Sequence, residues 1–259
     1  MTNWSDLGPR VGSAVVMTAV GGGAVYLGGF WFNLLVAVSV WAMTWELLSM
    51  FNLYSGRDRV MVAGLSFVIV LLAFFGGVAV WLALGLIAAI AIAQVLGRLP
   101  MGTSLFSLLF VPTLVGAGLL MFRANEGVDF ILWMLLVVIA SDVMGYFAGK
   151  TFGGPKFWPS ISPKKTWSGT IAGWVGAAFV GLGFVIWNDA PMSLIIISIL
   201  TSFAGQMGDI AESALKRKTG IKDSSNLIPG HGGVLDRFDA VSGAVLFLLA
   251  LSLVMQVSV

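Results

Sequence analysis

From about residue 12 to its end the chain is a succession of apolar runs, each about 17 to 22 residues long and separated by short polar joins. Helices of that length cross a hydrocarbon core of roughly 30 Å, and in lipid only a segment that satisfies its own backbone hydrogen bonds survives. Charged residues make up only 10% of the chain and hydrophobic ones 58%. A water-soluble domain carries about 25% charge, so this chain has too little to cover a soluble surface. The expected fold is therefore an all-α polytopic membrane protein with about nine transmembrane helices, near 12–29, 31–50, 60–76, 78–96, 104–122, 129–149, 170–188, 191–210 and 238–258. The first run is as long as the rest and is followed at once by another, which reads as a retained span rather than a cleaved leader.

Charge sets the expected orientation. Thirteen of the fourteen Lys and Arg fall on the side of the N-terminus in this layout, leaving Arg123 alone opposite. Cations accumulate in cytoplasmic loops, so the N-terminus is expected in the cytoplasm and the C-terminus outside. The formal charge of +2 then reports topology and gives no reason to expect nucleic acid. The two longest polar joins, near 150–169 and 211–237, fall on the cytoplasmic side, and long loops in a compact chain usually carry function. One integral-membrane catalytic unit is expected over 1–259, with an N-terminal helical part at 1–128 and a C-terminal part at 129–259 that carries both loops.

The chain has no cysteine and one histidine, His231. Thiolate zinc sites, disulfides, cysteine nucleophiles and paired-histidine metal motifs are excluded. A metal would have to sit on oxygen ligands, which favours Mg²⁺, Ca²⁺ or Mn²⁺.

Asp209, Glu212, Ser213 and Lys216 recur at i, i+3, i+4 and i+7, so they share one face if the preceding helix continues. Asp236 and Asp239 share a face at the start of the last run. Carboxylates converging at membrane depth need positive charge, and Mg²⁺ bound through a few of them is an economical solution. Lys216, Arg217, Lys222 and Arg237 surround them with phosphate-binding cations, and Gly230, Gly232 and Gly233 allow close backbone approach. Simpler roles compete: Glu212 as an i, i+4 partner of Lys216, Asp236 as a complement to a helix dipole, and Lys218 as a membrane anchor. In the other loop, Asp142 is an acid inside a span, a functional candidate by default. Ser162, Lys164, Lys165 and Thr166 place cations and hydroxyls where a phosphate could sit. Glu46 is a third acid in an apolar run, with no partner evident and helix packing as reasonable a role as catalysis.

Taken together, SALKR at 213–217, Lys222 and Asp223, IPGHGG at 228–233 and DRFD at 236–239 resemble the signature of the CDP-diacylglycerol synthases, or phosphatidate cytidylyltransferases. Every fixed position and spacing is kept over the 27 residues 213–239. Looser similarity covers 142–149, ISPKKTW at 161–167, Arg10, Trp45 and Glu46. One departure is Ser168, where family members often have Glu. The resemblance implies a multi-span, commonly dimeric enzyme that joins CTP to phosphatidate, giving CDP-diacylglycerol and pyrophosphate. It also implies a requirement for Mg²⁺, room for a second cation, and a site on the cytoplasmic face of a bacterial inner membrane. Carried onto this chain, Asp209 and Asp236 match acids that hold a metal pair, with Asp239 close by. Lys216, Arg217, Lys222, Asp223, His231 and Arg237 match its polar positions. Two other readings compete: a CTP-dependent enzyme for a different lipid, and an ion-coupled transporter using Asp142 and Asp209.

Overall fold

The computed structural model describes residues 7–52, 56–73 and 105–257. They form eight helices: α1 Leu7–Leu27, α2 Gly29–Met50, α3 Gly56–Ala73, α4 Leu105–Asn125, α5 Gly127–Phe152, α6 Trp167–Trp187, α7 Ser193–Lys218 and α8 Leu235–Val257. Strands β1 Lys156–Trp158 and β2 Ser162–Thr166 pair as an antiparallel hairpin between α5 and α6. The chain gathers into two compact units, one of residues 1–125 with 223–236 and the other of 126–222 with 237–259.

The expected count of about nine spans is corrected. Among the described residues five helices are long and apolar enough to cross a membrane: α2, α5, α6, α7 and α8. Helix α3 starts four residues before its apolar run at 60 and brings Arg57, Asp58 and Arg59 into its first turn, a cluster of charge that is costly at membrane depth. Two further apolar helical stretches are Val11–Leu27 and Phe110–Asn125, and Gly28, at φ 63°, separates α1 from α2. The expected span at 78–96 and the loop carrying Arg98 lie outside the described residues. The N-inside, C-outside expectation rests on nine crossings, a count that the described helices do not support.

In the first unit α2 is the central helix: 61% of its spanning window is buried, against 28–33% in the other four. Val36, Ala37, Val40, Met43, Leu47 and Leu48 of α2 are buried, and α2 packs on α1, α3 and α4. An acid on this helix is therefore enclosed by protein rather than turned to lipid.

In the second unit α5, α6 and α7 pack on one another. Lipid offers no hydrophobic drive between helices, so small residues and polar contacts hold such bundles. Gly145 of α5 and Gly169 of α6 meet backbone to backbone, and an added Cβ at Gly145 would lie 3.1 Å from the Gly169 carbonyl oxygen. A polar stripe climbs α7: Ser198 accepts from Trp133 Nε1 (2.9 Å), Ser202 donates to Ser141 (2.8 Å), and Gln206 reaches Ser141, Trp174 and the Thr170 carbonyl. The next polar residue on that stripe is Asp209.

Candidate active site

The second unit places its charged groups where α5, the hairpin, α6 and α7 meet. Helix α5 ends at Gly153, and Gly153 and Gly154 take φ 59° and 99°, which a glycine adopts at little cost as the chain leaves a helix. Pro155, Pro159 and Pro163 keep the next residues out of a helix. The chain turns back in register, Lys156 opposite Thr166 and Trp158 opposite Ser162. Thr166 then caps α6, its hydroxyl accepting from Gly169 N at 3.3 Å. Along β2, Lys164 is exposed while Lys165 turns inward, placing its Nζ 2.6 Å from Asp209 Oδ2 and 3.3 Å from the Gln206 carbonyl.

Helix α7 continues past its apolar run to Lys218, so Asp209, Glu212, Ser213 and Lys216 occupy one face. Ser213 donates to Asp209 Oδ1 at 3.3 Å, and Lys216 pairs with Glu212 at 2.5 Å. Glu212 and Lys216 are both buried, 5% and 9% exposed. From α8, Asp239 brings a third carboxylate, and one oxygen each from Asp209, Glu212 and Asp239 lie within 4.8 Å of one another. This approach is possible because α7 and α8 touch through glycine: a Cβ on Gly208 would run into the Asp239 carbonyl and the Gly243 backbone. Asp142, exposed on α5, has Asp209, Lys165 and Arg237 as its electrostatic neighbours.

Two lysines balance two of the three clustered carboxylates. The remaining negative charge, with all-oxygen donors, suits a hard divalent cation. The sequence suggests for Glu212 only a partnership with Lys216. It is that partner and also a member of the acidic group, and its position one turn beyond Asp209 on the same face was the available signal.

The first unit holds a different part of the predicted site. Asp236, in the first turn of α8, accepts from Ser224 N (3.0 Å), Ser224 Oγ (3.0 Å) and Gly233 N (2.8 Å) at Oδ2. His231 Nδ1 lies 2.7 Å from Ser13 Oγ of α1, and the same hydroxyl reaches the Pro229 carbonyl at 2.9 Å. When Ser13 donates to Pro229, Nδ1 must supply the other hydrogen, which leaves the lone pair of the neutral ring on Nε2. Residues 228–232 form a tight turn closed by Ile228 N to Gly232 O (2.8 Å), with Gly230 and Gly232 at φ 74° and 83°. Lys222 and Asp223 are exposed, as is Arg217, whose Nη1 donates to the Ile221 carbonyl at 3.2 Å. Ser162 is half-buried in β2 and Arg237 is exposed.

Helices long and apolar enough to cross a membrane, with carboxylates and lysines clustered at their ends, define a polytopic helical protein with a charged candidate site. Residues 9–255 match the model of the cytidylyltransferase family, and the chain belongs to that family. The phosphatidate cytidylyltransferase of Staphylococcus saprophyticus subsp. saprophyticus is 45% identical over 119 residues, covering 45% of this chain and 46% of that protein. The phosphatidate cytidylyltransferase of Brucella abortus is 41% identical over 144 residues, covering 54% and 53%. That of Staphylococcus haemolyticus is 40% identical over 131 residues, covering 49% and 50%. The chain thus spans about half the length of the curated relatives it matches. With five helices able to cross a bilayer and bacterial relatives, it is an integral membrane protein.

Proposed function

We propose that this chain transfers the cytidylyl group of CTP to phosphatidate, releasing pyrophosphate, at the cytoplasmic face of a bacterial inner membrane. The observation that carries the reading is the cluster of Asp209, Glu212 and Asp239 with Lys165 and Lys216, in a chain whose family is cytidylyltransferase. Sidedness follows from charge within the second unit. Lys150, Lys156, Lys164, Lys165, Lys216, Arg217, Lys218 and Lys222 lie where α5 ends, α6 begins and α7 ends, whereas Glu126, Asp129 and Asp189 lie at the other helix ends. Basic ends face the cytoplasm.

A phosphatidate oxygen forms the new bond to the α-phosphorus of CTP as the bond to the bridging oxygen of pyrophosphate breaks. The nucleophile is already an anion, so a strong base is unnecessary and the main obstacle is repulsion between anions. Lys165, Lys216 and Arg237 reduce that repulsion, with Lys164, Arg217 and Lys222 drawing phosphate toward the surface. Asp209, Glu212 and Asp239 would hold Mg²⁺, with Asp236 as the acid for a second cation; bound there, the metal supplies charge neutralisation and alignment. In the second unit Ser162, Thr166, Ser213 and Asp142 seat substrate groups and cations by hydrogen bonds and charge, and Asp223 has the same role in the first. In its imidazolium form, with Nδ1–H on Ser13, His231 donates from Nε2 to an oxyanion of the leaving pyrophosphate. The active form is a homodimer, as in the family the signature resembles, and light scattering of the purified protein tests this.

The test is Mg²⁺-dependent formation of CDP-diacylglycerol from labelled CTP and phosphatidate. Asp209→Asn and Asp236→Asn should each remove most turnover while leaving a folded protein. A wild-type protein that makes no such product, or an Asp209→Asn variant at full rate, overturns the reading. Ion-dependent uptake into vesicles without CTP turnover would mark a transporter instead.

A further inference from the structure

Glu46 sits in the most enclosed helix of the first unit, and its side chain is 0% exposed. A buried carboxylate is costly unless it is closely hydrogen-bonded. All the donors found for Glu46 come from one distant segment. Oε1 accepts from Ser225 Oγ (2.6 Å) and Val234 N (2.9 Å), and Oε2 accepts from Leu235 N (2.7 Å) and Ser224 Oγ (3.2 Å). Two of these are backbone N–H groups at the start of α8, which otherwise lack helical partners. Ser224 Oγ also lies 3.0 Å from Asp236 Oδ2, so the single hydrogen of this hydroxyl is shared between the two carboxylates. Gly233 leaves room for this, because a Cβ there would strike both Ser224 Oγ and the Glu46 carboxylate.

We infer that Glu46 is a positioning residue: it clamps residues 224–235 onto α2 and, through Ser224, fixes the orientation of the Asp236 carboxylate. The clamp stands on geometry alone; only its catalytic consequence rests on the function proposed above. Both oxygens of Glu46 accept a backbone N–H. Glutamine in either flip turns an NH₂ toward one of those N–H groups and loses at least one anchor. Glu46→Gln is therefore nearly isosteric yet breaks the clamp.

The chain has no cysteine, so Asn226→Cys introduces a single thiol at an exposed position within the clamped segment. A nitroxide on it reports local order by electron paramagnetic resonance, independently of activity. Lys156→Cys, exposed in β1, serves as the reference. In detergent or nanodiscs, Glu46→Gln should make the label at 226 several-fold more mobile and leave the label at 156 unchanged. Ser225→Ala, which removes one donor, should give a smaller change in the same direction. An unchanged spectrum at 226 in Glu46→Gln overturns the clamp. If Glu46→Gln loosens both labels, the variant has unfolded and Ser225→Ala decides: loosening at 226 alone supports the clamp, and no change refutes it. In the transfer assay, kcat of Glu46→Gln should fall about 10- to 100-fold, the scale of a 1 Å misplacement, with KM for CTP nearly unchanged. A wild-type protein inactive toward CTP would sink the proposed function while the spectra still decide the clamp.

Discussion

Gly208 sits beside Asp209 where α7 meets α8, and Gly208→Ala tests whether helix approach sets the carboxylate spacing. The added carbon would lie 2.9 Å from Gly243 N, 3.0 Å from Gly243 Cα, and closer still to the Asp239 carbonyl oxygen. All three are backbone atoms, so no rotamer relieves the overlap. Ordinary contact begins near 3.4 Å, so the helices must part by several tenths of an ångström or more, and Asp239 moves with its own carbonyl. Overpacking of this kind costs about 1–3 kcal/mol, against a gain of roughly 0.5–1 kcal/mol for Ala over Gly within a helix. A net loss of about 1–2 kcal/mol lowers Tm by a few degrees in a chain of this size. The rate should suffer more, by about 10- to 100-fold, because displacement of about 1 Å at a reacting centre has that effect. Two companions grade the effect. Gly205→Ala meets the Ala240 carbonyl oxygen at 3.1 Å and should be milder, whereas Gly64→Ala meets nothing within 4 Å and should keep the wild-type rate with a gain of roughly 0.5–1 kcal/mol in stability. Thermal unfolding and initial rates of cytidylyl transfer would be measured for all three. Gly208→Ala with a rate within about twofold of wild type would refute the idea that this approach sets the Asp239 position.

Three further substitutions separate stability from chemistry. Lys165→Met removes the partner 2.6 Å from Asp209 and should cut turnover at least about tenfold with a small change in Tm, read by paired rate and melting measurements. Thr166→Ala removes the cap of α6 and should cost about 1 kcal/mol by melting temperature. Trp133→Phe leaves the wholly buried Ser198 without the donor at 2.9 Å. It should cost about 1 kcal/mol, with KM for CTP unchanged.

The parts of the site that follow a helical period were legible in the sequence. Asp209, Glu212, Ser213 and Lys216 recur at helix spacing, and α7 presents them on one face with Ser213 and Lys216 bonded to the acids one turn back. Thr166 stands in a run of cations and hydroxyls suited to phosphate, and the glycine three residues on supplies the N–H that its hydroxyl caps. The pairing of Lys165 with Asp209 spans 44 residues and depends on which way a short strand turns its side chains, for which two adjacent lysines give no local sign. The span count failed for a similar reason. Hydropathy measures the apolar length of a run, but whether a helix such as α3 starts early enough to take in three charges depends on where the chain turns.

The partners of Glu46 leave no mark in the sequence, for a physical reason. Its two shortest backbone donors, at Val234 and Leu235, lie 188 and 189 residues away, and any residue but proline provides a backbone N–H. No side-chain pattern can announce such a partner. The same geometry divides a signature that is continuous in sequence. Residues 213–222, with Arg237 and Asp239, belong to the unit built on α5, α6 and α7, while 223–236 belongs to the unit built on α2. Each half therefore depends on different distant residues: Lys165 supports the acids on α7, whereas Glu46 and Ser13 support the turn that carries His231 and Asp236. The N-terminal helices are thus more than a membrane anchor, since Glu46 satisfies the backbone from which α8 starts.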